Sequence, residues 1–192
     1  MTLAPWRSPL ARALHRNRSL ANARYVQLAT VRPDGRPANR TVVFRGWWEE
    51  TNQLRFVSDR RSEKTHQIQQ QPWAEVCWYF PKSREQFRLS GLVRLGIADA
   101  ADSGLETARQ QAWQGLSDNA RIQFGWPQPG EGRSPTTSFE VAPLDPNMPP
   151  DTFCLLLLDP QTVDHLELRG DPQQRTHYTY QDGEWETANI NP

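Results

Sequence analysis

The residue pattern predicts a mainly β protein, a β-barrel or sandwich of six to eight antiparallel strands with peripheral helices. Three observations point there. Short runs of period-two alternation recur along most of the chain. Turn signals separate them, among them Arg32-Pro-Asp-Gly35 and Asp182-Gly183. Helix-like patterns are confined to three or so segments. At 192 residues the chain can bury one sizeable core, so one domain spanning 1–192 is expected.

Taken in order, residues 8–21 predict a helix with Ser8 as N-cap and Pro9 at the first helical position, Leu10, Ala13 and Leu14 sharing a face. Residues 25–31 and 39–44 form a hairpin across the Pro33–Gly35 turn. Trp47 and Trp48 then cover an end of the sheet, and 54–58 is the next strand. A short helix follows from about Asp59 to Pro72, with His66 on its exposed side. Residues 73–80 and 85–95 pair next, the latter placing Gln86, Arg88 and Ser90 on a polar face opposite Phe87 and Leu89. A helix starts at Asp102 or Ser103, and a shorter one at Ser117. The proline-rich stretch 126–151 reads as an ordered surface crossing. Residues 153–158 (FCLLLL) predict a central strand, 163–168 another, and 177–181 and 184–188 a closing hairpin.

Composition excludes several classes. Lys+Arg and Asp+Glu each total 22, which argues against a general nucleic-acid or anionic-membrane binder. The chain has no run long and apolar enough for a membrane span and no signal-peptide pattern at its start, so a cytoplasmic protein is expected. Cys77 and Cys154 lie in apolar runs without metal-ligand spacing and read as buried core thiols. There is no GxGxxG after a strand, no Walker loop, no GxSxG and no partnered nucleophile.

Chemistry concentrates between Arg40 and Lys64. In RTVVFRG, Arg40, Val42 and Phe44 share one strand face, and Thr41, Val43 and Arg45 the other. The strand ending at Val57 and Ser58 then delivers a helix start carrying Ser62 and Lys64. Cations, hydroxyls and a helix N-terminus together suit a phosphate. Capping of the helix by Asp59 or Ser62 is the plainer reading, and the two can coexist. Such a site, without evident acid/base pairs, points to chemistry left to a cofactor.

The order RTVVFRG, LRFVSDRRSEK, a WYFP strand and REQFRLSG resembles the pyridoxamine 5'-phosphate oxidase-like family of FMN-binding split barrels, and within it the cyanobacterial and plastid branch. The resemblance implies an antiparallel split β-barrel that binds FMN at a homodimer interface. By position it implies cofactor contacts from Arg40, Thr41, Val42, Val43 and Arg45, from Val57 and Ser58, and from Ser62 and Lys64. It also implies that Gln86 reaches the flavin held mainly by the partner subunit. Glu63 stands where the oxidases carry a clamp arginine, so Glu63 must point away if Lys64 and Arg40 are to hold a dianion. Arg121, Arg175 and His177 are candidates for substrate contact. The resemblance implies an FMN-dependent oxidoreductase acting on a small molecule that the sequence does not identify. Pyridoxamine or pyridoxine 5'-phosphate oxidation and a non-catalytic flavin-binding module are the alternatives.

Overall fold

The computed structural model describes residues 3–98 and 102–192. Eight strands are present among them: β1 (Tyr25–Val31), β2 (Pro37–Val43), β3 (Leu54–Asp59), β4 (Trp73–Phe80), β5 (Glu85–Gly96), β6 (Phe153–Glu167), β7 (Gln174–Gln181) and β8 (Glu184–Ile190). They form one antiparallel sheet in the order β2-β1-β4-β5-β6-β7-β8, with β3 added to β6.

β6 organises this sheet. The sequence pattern predicts two strands here, but the structure has one strand of 15 residues. β5 pairs along both halves of it, and a register shift at Ser90/Gly91 absorbs the break in pattern around Pro160. Gly91 is needed there, since a Cβ on it would lie 2.0 Å from the Asp159 carbonyl oxygen. The first half of β6 takes β3 as its second neighbour, from Phe153↔Asp59 to Leu158↔Leu54. The second half takes β7, from Thr162↔Thr179 to Glu167↔Gln174.

The sheet β2-β1-β4-β5-β6-β3 therefore curls around the main core, and its two end strands are not paired with each other. Main-chain hydrogen bonds join the two sides just beyond β2, where the Arg45 N–H donates to the Arg55 carbonyl and the Arg55 N–H to that of Gly46. This gap is the split in the barrel.

Burial on both faces explains the unbroken apolar run at the start of β6. Cys154, Leu156 and Leu158 point into the barrel with Phe44, Phe56 and Trp78. Leu155 and Leu157 point outward and are covered by Leu105 and Ala108 of α3 (Ser103–Gln114). A strand buried on both sides has no polar alternation to display. Asp102 caps α3, its side chain accepting the Leu105 N–H at 3.0 Å.

The N-terminal helix α1 spans Arg7–Asn17, shorter than the 8–21 expected, with Ser8 and Pro9 inside its first turn. Asn17 ends it. Its side-chain amide donates to the Ala13 carbonyl and to Ser83 Oγ, and its Oδ1 accepts the Lys82 N–H. Leu10 and Ala13 are buried as the pattern predicts. Trp47 packs against Trp6 and Phe44 at the end of the barrel, while Trp48 joins the cluster under α3.

The two cysteines part company. Cys154 is buried, and burial pushes its thiol up to about 12. Cys77 is only half-buried, a correction to the core placement expected for it. Val76 and Trp78 take the inward positions of β4, and alternation turns Cys77 outward. The crossing 126–151 is tied down at intervals. Trp113 Nε1 donates to the Asp145 carbonyl, Arg109 Nη2 to that of Pro150, and Thr152 Oγ1 to that of Phe124.

Candidate functional site

The split between β2 and β3 opens into a cleft of about 660 Å³. One wall is sheet: Arg40, Thr41, Val42, Val43 and Arg45 from β2 and its end, with Val57, Ser58 and Asp59 from β3. The other wall comes from later in the chain. It comprises Leu116, Ala120, Gln123, Phe124 and Trp126, then residues 127–134 of the crossing, and Phe139. Among the described residues β2 takes only β1 as a strand partner, and β3 beyond Leu54 and Arg55 takes only β6, so each strand turns an unpaired edge toward the gap. Backbone donors and acceptors on those edges are available to a ligand.

At the floor of the cleft, α2 (Glu63–Gln70) begins directly after β3. Lys64 Nζ donates to Ser58 Oγ at 3.1 Å and to Ser62 Oγ at 3.2 Å. Ser62 is the N-cap residue by backbone conformation, but its hydroxyl makes no cap bond. It lies 3.0 Å from Ser58 Oγ and 3.1 Å from Thr65 Oγ1 instead. Lys64 and Ser58 line the cleft, and Ser62 supports them from behind. Burial lowers the Lys64 ammonium below its ordinary value, and the adjacent Arg40 lowers it further against partial relief from Asp59. An anion bound beside it would favour the charged form.

Arg40 reaches the same cleft from β2 and is itself held in place. Its Nη1 donates to the Leu28 and Ala38 carbonyls and to Thr30 Oγ1, and its Nη2 donates to Gln67 Oε1 at 3.1 Å. Burial lowers its pKa, with Glu63 opposing that effect. Neither Arg40 nor Lys64 is in an ion pair among the described residues. The carboxylate nearest to them on the sheet wall, Asp59, is engaged with the Arg61 guanidinium at 2.6 Å. Glu63 points away from the cleft. It is exposed and lies 3.6 Å from Arg32 Nε.

The remaining candidates fall elsewhere. Gln86 lies on the outer face of the sheet, paired between Tyr79 of β4 and Leu166 of β6, and does not line this cleft. Arg175 is bound to Asp164, with Nη2 at 2.6 Å from Oδ2. His177 lies one strand over from Asp164, its Nδ1 3.4 Å from Thr179 Oγ1. Arg121 is buried, and its guanidinium caps the end of α3 through the Trp113 and Leu116 carbonyls. Sequence reasoning missed the whole second wall. Trp126 and Phe139, in edge contact at 5.7 Å, are separated in sequence by a polar, glycine- and proline-rich stretch that carries no periodic signal.

Comparison with known proteins bears on this geometry. A model of the pyridoxamine 5'-phosphate oxidase FMN-binding domain matches residues 3–96. The chain is 37% identical over 196 residues to pyridoxine/pyridoxamine 5'-phosphate oxidase 2 of Arabidopsis thaliana, covering 99% of this chain and 98% of that one. The chain belongs to the pyridoxamine 5'-phosphate oxidase-like, FMN-binding family. A solved structure from Nostoc punctiforme, described as a pyridoxamine 5'-phosphate oxidase-related, FMN-binding protein, superposes with a TM-score of 0.98 at 61% identity over 100% of both chains. PhzG from Burkholderia lata shares the fold, with a TM-score of 0.79 at 18% identity, over 98% of this chain and 93% of that one.

The family cofactor is FMN, and the donor set fits it. Lys64, Ser58 and Arg40 offer three donor groups to a phosphate at one end. Val42, Val43, Val57, Phe124 and Trp126 offer apolar surface to a flat ring. The cleft volume lies within the range of about 300–1,000 Å³ usual for such ligands.

Proposed function

We propose that this protein is an FMN-dependent oxidoreductase acting on a small molecule, working as a homodimer with FMN at the subunit interface. Residues 1–192 act in this reading as one flavin-binding domain. The observation that carries it is the pair of un-neutralised cations, Lys64 and Arg40, set among hydroxyls at the floor of a cleft with apolar walls.

When bound, FMN supplies a two-electron acceptor and donor of hydride. The chain supplies position and environment. Lys64, Ser58 and Arg40 hold the phosphate, with Ser62 keeping the lysine aimed. The open edge of β2 at Thr41, Val42 and Val43 offers backbone groups to the polar rim of the ring. Arg45, exposed beside that edge, brings positive charge to where negative charge develops on reduction. Trp126 and Phe124 exclude water from the far side.

Support for the dimer comes from the outer face of β1, β4 and β5. Tyr25, Trp73, Tyr79 and Leu92 are exposed there, with Trp73 and Leu92 directly paired. Large apolar side chains gathered on one sheet face favour a partner surface. Gln86 shares that face, which suits a contact with the partner's cofactor. Two free thiols suit a reducing, cytoplasmic setting; no helix among the described residues is long and apolar enough to cross a membrane.

The test combines the absorbance spectrum of the purified protein with its mass in solution. A flavin band and a mass of two chains are expected; a colourless protein after reconstitution with FMN would overturn the reading. Mixing Lys64→Ala chains with Gln86→Ala chains under subunit exchange should regenerate some intact sites. No recovery would remove Gln86 from the partner's site. A bound flavin that neither accepts nor passes on electrons would instead mark a non-catalytic module.

A second reading is supported by the Arabidopsis relative, which is named a pyridoxine/pyridoxamine 5'-phosphate oxidase. Supplying either phosphorylated vitamer with oxygen should then yield pyridoxal 5'-phosphate and peroxide. No turnover by the flavin-loaded protein would sink that reading and leave FMN binding intact.

A further inference from the structure

On the inner side of the β5–β6 ladder, away from the flavin cleft, three metal-ligating side chains converge. Glu85 and Glu167 are direct partners across the two strands, and His165 precedes Glu167 by one alternation on the same face. Their ligand atoms all lie within 4.8 Å of one another. His165 Nε2 is hydrogen-bonded to Glu85 Oε2 at 3.0 Å, and a cation seated between them would replace that bond.

Two features ask for a cation. Like charges directly opposite across a strand pair destabilise it. Glu85 is also 5% exposed, and its Oε1 is buried without a hydrogen-bond donor while facing a surface cleft of about 430 Å³. The basic groups around that cleft do not fill the role. Arg16 Nη1 stands off at 3.6 Å on a largely exposed side chain. Lys82 bonds to Ser19, and Arg169 to the Lys82 carbonyl. The imidazole is held by stacking on Phe87, with ring centroids 4.0 Å apart, so one ligand is pre-oriented.

We propose that Glu85, His165 and Glu167 form a site for one divalent transition-metal cation of the Zn²⁺ or Mn²⁺ class. One nitrogen and two carboxylate ligands suit those ions, with water completing the shell from the cleft. The ion bridges β5 to β6 and satisfies the orphaned Glu85 oxygen.

The test uses the full chain with its flavin bound, stripped of metal and titrated with Mn²⁺, free ion being read by electron paramagnetic resonance. One Mn²⁺ per chain is expected, displaced by Zn²⁺ and accompanied by a rise in melting temperature. Glu167→Gln, at a half-buried position, should weaken uptake by at least about tenfold, and Glu85→Gln should abolish it. His66→Ala, at an exposed histidine, should leave it unchanged. No saturable uptake at millimolar Mn²⁺ would overturn the proposal. So would uptake that survives Glu167→Gln in a folded variant, or uptake that is lost with His66→Ala.

Discussion

Two places on this sheet gather cations, and they are electrostatic opposites. Around Asp164, Arg88 and Arg175 converge on one carboxylate, with Nη2–Oδ2 distances of 2.7 and 2.6 Å. Burial pushes Asp164 up, but the hydrogen bonds from Arg175 and Arg88 outweigh it and hold the carboxyl below its ordinary value. Arg175 is raised in return. That cluster is complete. At the cleft floor, Lys64 and Arg40 face hydroxyls and carbonyls instead, and both are lowered. The difference teaches that a group of arginines and lysines on a sheet is no binding site by itself. What distinguishes a site is a cation that none of the chain's own carboxylates touches.

The comparison can be broken most forcefully at Lys64. Lys64→Ala should weaken FMN binding by about 2–3 kcal/mol, the scale of a charge-assisted hydrogen bond, read by flavin fluorescence titration. Affinity unchanged by that variant would mean that the phosphate lies elsewhere. At the completed cluster, Asp164→Asn should leave two arginines facing each other and lower stability by about 1–2 kcal/mol at neutral pH, with FMN affinity intact. Denaturant unfolding checks it. The sign follows from the depressed folded-state value of Asp164. Its contribution is present above the unfolded carboxylate range and is lost as pH falls through the folded value, so the difference between wild type and variant should close in acid.

Lys64 has the opposite sign. Its folded value is lowered, and a bound dianion raises it, so FMN binds best while the ammonium is charged. Affinity should hold at neutral pH and fall as pH rises through the lowered lysine value, beginning below the ordinary 10.5. Lys64→Arg should remove that inflection, and an inflection that persists would assign it to another group. The smallest effect is expected at Glu63, which is exposed and pairs with Arg32 outside the cleft. Glu63→Arg should change FMN affinity by less than about 0.5 kcal/mol. A large gain would mean that this side chain turns inward.

The strands and helices were largely legible because their patterns are local. Residues 25–31, 54–58, 73–80 and 85–95 carry the alternation that the structure displays, and Asp102 announces its helix through a cap. The sequence pattern splits β6 in two because Pro160 and its neighbours break the alternation, whereas pairing to β5 on both sides carries the strand through. The pattern extends α1 too far because the side chain that stops it, Asn17, acts through Ser83 and Lys82, distant in sequence. In the cleft, the two strands and the helix carrying Arg40, Ser58 and Lys64 are close in sequence, and the structure brings those residues to one wall. The opposite wall is built from the short helical segment around Ala120 to Phe124 and from the non-periodic crossing after it.

From sequence alone came the β class, the turn chemistry, the absence of a dinucleotide or P-loop motif, and the family resemblance, since each depends on residues near one another or on short motifs. Tertiary structure decided which cations stay unpaired, where the barrel splits, that Glu63 turns outward, and that Glu85 and Glu167 face each other. The reason is physical: neutralisation and edge pairing are relations between distant segments, and no local pattern records them.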